Sequence, residues 1–596
     1  MFIWPVGRLN LILRSAFQYD DAAQLFNRLS GDARVSGSKH ALNWTTLLIA
    51  IPVGCVASLV TLAFRGVIDL INRLLFNSDN EITVAMHVWP WIFWPLLVGA
   101  GGVLAGWFLR YAVAIEKQET VQTDYLEVIN ARLDAVPTKT SLFRALSSIA
   151  SIGSGASIGK EGPMVQLSAL SGSLIGRWLP ASLNLRNSDI VAMAAAAGLS
   201  SVYHAPLASA IFVAEIAFGI SALQRLIPLI VASAVAVMTM WSLGFRSALY
   251  PLSEALFQMD VSSLLMTLLI GFVAGFAGWL LIKLIARSKA LFGRVRSLPL
   301  RLGAGGLAVG FLALISTDIL GNGYEVIVKI IDGHYLLVGL LGLLVLKTLA
   351  TTLSVGSNAV GGLFTPSLLI GALLGVALAQ IGVMLHLPVG NTLLYAAIGM
   401  AAVLAAVSQA PLMAMLMVLE MTLNSSLLFP IMIASVLASM VVYRLQSTST
   451  YPVVSNHFSR SEAKYDFDNM RVDQLIIPGA ALQPEESVGQ ALAVSSLKRE
   501  RYVYVINSEG QFLGVVSIHD ISRKVLAQEI TLHSPVSSVM DNNFPCIYQN
   551  QSMREGWEAF ARVTLERLPV LNNPQERRFM GALTKTSLIQ KAQEFL

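Results

Sequence analysis

Residues 151 to 163 read Ser-Ile-Gly-Ser-Gly-Ala-Ser-Ile-Gly-Lys-Glu-Gly-Pro, and residues 354 to 366 read Ser-Val-Gly-Ser-Asn-Ala-Val-Gly-Gly-Leu-Phe-Thr-Pro. The two stretches align without a gap at an offset of 354 − 151 = 203, and Ser, Gly, Ser, Ala, Gly and Pro coincide. Further on, Ala205-Pro206-Leu207 followed by Glu215 matches Ala410-Pro411-Leu412 followed by Glu420, at 410 − 205 = 205. Two matches at nearly one offset mark an internal repeat. Each half carries an apolar region broken by Gly, Ser and Pro, the pattern expected where a site lies at a repeat interface near a bilayer midplane. Small-residue packing between membrane helices is the competing explanation. It accounts for the Gly, Ala and Ser but not for the paired prolines, each just ahead of a fresh apolar run, 164–175 and 367–381.

A proline in the first turn of a helix lacks only an N–H that would have been unpaired, so Pro163 and Pro366 predict helix starts. A helix that starts inside a membrane leaves its first N–H groups unpaired and aims the positive end of its dipole at whatever sits there. An anion answers both demands. Gly159, Gly162, Gly361 and Gly362 would let the backbone approach such a ligand with no side chain in between. The residues therefore predict an anion held between two helix N-termini from opposite halves.

Composition agrees with a membrane setting. The 596 residues are 55% hydrophobic and 13% charged, against about 25% charged in soluble proteins. Charge-free runs at 45–64, 89–109, 226–245, 264–282 and 426–443 each approach or reach the roughly 20 residues needed to cross a hydrocarbon core. The scattered charges before the first run, among them Arg8, Arg14 and Asp20, lack the pattern of a cleaved signal peptide. Arg28, Arg34 and Lys39 ahead of the apolar region and Arg444 and Arg460 behind it predict cytoplasmic termini. The net charge of +5 points to no nucleic-acid partner; the partner implied is membrane lipid. Cys55 and Cys546 offer no disulfide or metal framework and read as packing residues.

Gly159-Lys160-Glu161-Gly162-Pro163 and Gly362-Leu363-Phe364-Thr365-Pro366, supported by Ala205-Pro206-Leu207 and Asn322-Gly323-Tyr324, resemble the signature segments of the ClC chloride channel and transporter family. The resemblance covers roughly residues 45 to 451 and implies an all-α polytopic membrane domain of two inverted repeats with broken helices. It also implies a homodimer with one anion path per subunit and chloride as the transported ion. It makes Glu161 the gate: a carboxylate in an anion path competes with the ion for the same N–H donors, and protonation releases it. An interhelical hydrogen-bonding role is the plainer alternative for Glu161. Gly159, Lys160, Gly162 and Gly362 would frame the anion, the amides of Leu363 and Phe364 would donate to it, and the Tyr451 hydroxyl would touch it. An interfacial tyrosine is the alternative for Tyr451.

Two departures from the family pattern matter. Where a Gly-Ser-Gly-Ile-Pro segment supplies an anion-binding serine, this chain reads Gln122-Thr123-Asp124-Tyr125-Leu126-Glu127. Thr123 is the substitute hydroxyl, unless it is an ordinary helix-end residue. The internal proton-relay glutamate of the exchangers, one residue after Glu215, is Ile216. An isoleucine cannot carry a proton, so a channel-like or uncoupled conduit is expected, in the manner of the bacterial ClcB-like branch and hence in a bacterial inner membrane. A chloride/proton antiporter that uses Glu215 is the alternative. A divalent-cation transporter would need more membrane carboxylates than Glu161, Glu215 and Glu420. No nucleophile–base pair or phosphate loop suggests an enzyme, and no cofactor is required.

From about Phe467 the chain turns polar and repeats a β-α-β-β-α rhythm, with strands expected at Tyr502–Ile506 and Phe512–Ser517 and again around Leu568–Val570 and Phe579–Leu583. This resembles a tandem CBS pair, an α/β domain that can hold an adenine nucleotide. Ser517 and Asp520 fit the ribose-binding pattern in the first module, and Thr584 to Ser587 lacks the acid in the second. Helix capping is the alternative role for Asp520. The expected organisation is a cytoplasmic segment 1–41, a membrane domain 42–452 with halves at 45–245 and 264–445, a linker 453–466 and the CBS pair 467–596.

Overall fold

The computed structural model describes residues 44–445 and 470–594, apart from 77–82, 84–85, 120–123, 131–134, 181–182, 184, 219–222, 246–248, 251, 253–255, 499, 562 and 564. The described residues fall into two compact units, one within Gly37–Ser455 and one within Asn456–Leu596.

The first unit is helical. Its first half holds α1 (Trp44–Phe76), α2 (Trp94–Glu119), α3 (Tyr125–Asn130), α4 (Thr138–Gly153), α5 (Glu161–Trp178), α6 (Asn187–Tyr203), α7 (Pro206–Val213) and α8 (Leu223–Ser242). The second half holds α9 (Val261–Phe292), α10 (Leu298–Ala313), α11 (Tyr324–Ile331), α12 (Leu337–Gly356), α13 (Phe364–Met384), α14 (Tyr395–Ser408), α15 (Pro411–Thr422) and α16 (Leu428–Leu445). The repeat read from the sequence is a repeat of structure. Helix α4 ends at Gly153 and α12 at Gly356, and α5 begins at Glu161 and α13 at Phe364, both at an offset of 203. Even the breaks match: α6 closes on left-handed His204 (φ 54°) and α14 on left-handed Gln409 (φ 55°).

Among the described residues, seven helices are long and apolar enough to span a membrane. Five contain or overlap the charge-free runs. The other two, Leu337–Gly356 and Phe364–Met384, flank the second motif. The core lies on α6 and α14. Nearly every residue from Ile190 to Ser201, and every residue of Tyr395–Ser408, is buried, as expected of helices that are apolar on all faces. Helices α2 and α10 cross where Gly102 and Gly306 meet the backbone opposite: a Cβ on Gly102 would strike the Leu302 carbonyl, and one on Gly306 the Val98 carbonyl. Small-residue packing is therefore present, alongside the broken helices.

Helix α12 carries Lys347, which is 0% exposed. Its Nζ donates to the carbonyls of Ile319 and Gly321, both at 2.9 Å, fixing the loop that leads into Asn322-Gly323-Tyr324. Replacing Lys347 by Met should leave both carbonyls short of a donor, at about 2–4 kcal/mol, and lower the melting temperature of the detergent-solubilised protein. An unchanged melting temperature would show that other donors suffice.

The second unit has two three-stranded sheets. In the first, β1 (Ala481–Leu482) runs parallel to β2 (Tyr502–Ile506), which pairs antiparallel with β3 (Phe512–Ser517), with Tyr502 opposite Ser517. Helices α17 (Val488–Lys498) and α18 (Ile518–Leu526) complete the module. The order recurs with β4 (Ile547–Tyr548), α19 (Met553–Ala561), β5 (Arg567–Leu571), β6 (Phe579–Thr584) and α20 (Lys585–Glu594). The sheets meet through the Tyr504 and Phe579 rings, 4.7 Å apart, and an Arg567–Glu500 ion pair at 3.2 Å. Cys546 is half-buried against this aromatic cluster.

Candidate anion site

The two motif loops are joined backbone to backbone. The Gly159 N–H donates to the Gly362 carbonyl at 2.9 Å, and the Gly362 N–H returns a bond to Gly159 at 2.8 Å. This antiparallel bridge brings the first residues of α5 and α13 together from opposite halves. Both helices start two residues ahead of their prolines, so Pro163 and Pro366 sit in the first turns as expected, and Glu161 is itself the first residue of α5.

Glu161 is 1% exposed, and its carboxylate lies on the N-terminus of α13. Oε1 accepts from the amides of Phe364 at 2.9 Å and Thr365 at 3.3 Å. Oε2 accepts from the Thr365 hydroxyl at 3.3 Å. A helix N-terminus offers unpaired N–H groups and partial positive charge, so the carboxylate occupies the kind of place that a free anion would take. The glycines make room for it: a Cβ on Gly159 would overlap both carboxylate oxygens, and one on Gly362 would overlap Oε1.

The expected residues fall into place unevenly. Lys160 and Leu363 are the half-buried residues immediately before the two helices, and Gly162 and Leu363 line a shared cavity of about 670 Å³. Asp124, Arg144, Gln166 and Lys289 line it as well. The amides that reach the Glu161 carboxylate are those of Phe364 and Thr365. Phe364 packs edge-on against Phe212, centroids 5.1 Å apart, and beside Tyr203 at 6.3 Å. Thr123 and Tyr451 lie outside the described residues.

Sequence reading missed Thr365 and Tyr203, whose hydroxyls lie 2.9 Å apart behind the carboxylate. For Thr365 the signal was a hydroxyl residue inside the second motif. For Tyr203, at the end of a buried helix, nothing in the sequence marked it.

Ile216 is fully buried in a π-turn, Ala214–Phe218, that continues α7. Beside it, Glu215 caps the opposite half: its Oε2 accepts from the Met413 amide of α15 at 3.2 Å. Glu420 does the reverse, taking the Leu207 and Ala208 amides of α7 at 3.0 and 2.9 Å. The repeated Ala-Pro-Leu and Glu thus encode a swapped pair of helix caps, each half's acid closing the other half's helix.

In the second unit, the Ser517 hydroxyl caps α18, accepting from the Asp520 amide at 3.4 Å, and Asp520 itself pairs with Arg523 at 3.3 Å. Thr584 makes the same cap to Ser587 at 3.0 Å. The capping role noted for this pattern thus falls to Ser517 and not to the Asp520 side chain.

Comparison with known proteins gives the same picture. The family described as voltage gated chloride channel matches residues 101–443, and the CBS domain family matches residues 476–527. A putative chloride channel protein ClcB-like of Ralstonia nicotianae is 39% identical over 412 residues, 68% of this chain and 95% of that protein. The voltage-gated ClC-type chloride channel ClcB of Salmonella typhimurium is 35% identical over 413 residues, 68% of this chain and 97% of that protein. Among solved structures, a slow cyanobacterial Cl-/H+ antiporter superposes with a TM-score of 0.61 at 22% identity over 71% of this chain and all of its own. A eukaryotic CLC transporter gives 0.58 at 17% identity over 91% and 98%. With its two-half membrane unit and paired motif loops, the chain belongs to the ClC family of voltage-gated chloride channels and transporters, and is a multi-pass membrane protein with a C-terminal CBS region.

Proposed function

We propose that this protein moves chloride or another small monovalent anion through a path gated by Glu161, without stoichiometric proton exchange. The observation that carries the reading is the Glu161 carboxylate bonded to the first amides of α13. Protonating the carboxyl removes the charge that holds it there, and an arriving anion then takes the same donors. Lys160, Gly159, Gly162, Gly362, Leu363 and Phe364 frame the passage, and Thr123 and Tyr451 belong to the same proposal through their sequence positions.

The absence of proton coupling rests on Ile216, which offers no acid where exchangers relay protons. The second reading, antiport through Glu215, has an acid on the correct turn, but that carboxylate already caps α15. The proposed setting is a bacterial inner membrane, with cytoplasmic termini and a homodimer carrying one path per subunit.

Proteoliposomes loaded with chloride, with external pH recorded during efflux, separate the readings. Efflux with no uphill proton movement is the expected result. Protons driven against their gradient would establish antiport and turn attention to Glu215. No anion flux from folded protein would overturn the assignment.

A further inference from the structure

Behind the Glu161 carboxylate stand two buried hydroxyls that the gating scheme does not use. Thr365 is 4% exposed and Tyr203 is 3% exposed. Thr365 Oγ1 lies 3.3 Å from Glu161 Oε2 and 2.9 Å from the Tyr203 hydroxyl. An ionised carboxylate only accepts, so the single proton of Thr365 is spent on Glu161. The Tyr203 hydroxyl must then donate to Thr365. The three groups form one directed chain, Tyr203 to Thr365 to Glu161, in which each bond polarises the next.

The two halves differ here. The residue that aligns with Thr365 at the offset of 203 is Gly162, which has no hydroxyl, so the chain is not a by-product of the repeat. Tyr203 is also held by its ring, which packs beside Phe364, so its oxygen has little freedom to leave.

We propose that Thr365 and Tyr203 are positioning residues that latch the ionised Glu161 carboxylate on α13 and set the pH at which it lets go. The inference rests on Glu161 being the gate. The chain bonds the ionised carboxylate more strongly than the neutral carboxyl, and thus holds the gate shut to lower pH than the amides alone would. The other charged groups around Glu161 are Lys160 before it and Asp124, Arg144 and Lys289 across the shared cavity. Helix α13 carries no charge. Helix α1 holds Arg65 and Asp69 as a pair and carries an exposed Arg73 in its last turn, and the Asp189 of α6 pairs with Arg225 of α8. None of these groups is altered by the substitutions below.

The test is the pH profile of chloride efflux from proteoliposomes. Thr365→Val keeps the shape of the side chain and loses the donor, and should move the midpoint up by about one pH unit, the worth of one hydrogen bond to a charged group. Thr365→Ser should restore it. Tyr203→Phe, which keeps the ring, should shift the midpoint in the same direction by less. An unmoved midpoint in Thr365→Val, or a shift that Thr365→Ser does not reverse, would overturn the latch. If Thr365→Val does not fold, Tyr203→Phe decides alone, and an unchanged profile overturns the proposal. Glu161→Gln separates the two levels: a natural pH profile in that variant would defeat the gate itself, whereas a flat profile there with unmoved latch variants would defeat the latch only.

Discussion

Glu161→Gln is expected to conduct chloride faster than the natural chain at neutral pH and to lose the dependence of that flux on pH. The natural carboxylate takes two amides and a hydroxyl at the start of α13. A neutral amide of the same size competes for those donors without a charge. If the carboxylate outcompetes a diffusible anion by one charge-assisted bond, about 1.5 kcal/mol, its neutralisation raises the open fraction roughly tenfold. The sign with pH follows from the same contacts. In the natural protein the carboxyl is neutral and released at low pH, so flux falls as pH rises through its titration, and the variant has no such titration. Stopped-flow efflux across a pH series reads both effects. A Glu161→Gln profile that still falls with pH would place the titrating group elsewhere.

A second large effect is expected at a residue that never ionises. A Cβ on Gly362 would overlap the Glu161 side chain, and the loop cannot retreat because Gly362 and Gly159 hold each other by two backbone bonds at 2.8 and 2.9 Å. Gly362→Ala should therefore push the carboxylate off α13 and reproduce the pH-insensitive flux of Glu161→Gln. The crowding should also lower stability by about 1–3 kcal/mol. Combining Gly362→Ala with Glu161→Ala removes the atoms in conflict, so the double variant should regain stability and gain no further flux, a non-additivity that a double-mutant cycle measures directly. A Gly362→Ala protein with the natural pH profile would show that the carboxylate does not sit where these contacts place it.

Much of this arrangement was legible in the chain because membrane folds repeat. The offset of 203 to 205 residues located both motif helices, and the prolines marked their first turns because a proline there sacrifices no hydrogen bond. The CBS strands were legible for a different reason: Tyr502–Ile506 and Phe512–Ser517 are short β-branched and aromatic runs around a Ser508-Glu509-Gly510 turn, and they form β2 and β3 within those bounds.

What stayed hidden depends on three-dimensional pairing. Helix α12 escaped a search for charge-free spans because Lys347 interrupts it, and only the fold reveals that two loop carbonyls accommodate that charge. Glu215 and Glu420 read as isolated membrane acids, whereas each caps a helix of the other half. Thr365 and Tyr203 are 162 residues apart, so no local pattern could have joined them to Glu161.

The central claim is that the Glu161 carboxylate occupies an anion's place at the start of α13, and crystals of Glu161→Gln and of the natural chain grown in bromide test it most directly. Anomalous density within hydrogen-bonding distance of the Phe364 and Thr365 amides in the variant, and none at that position in the natural chain, is the predicted result. Bromide absent from those amides in a variant that still conducts would contradict the account.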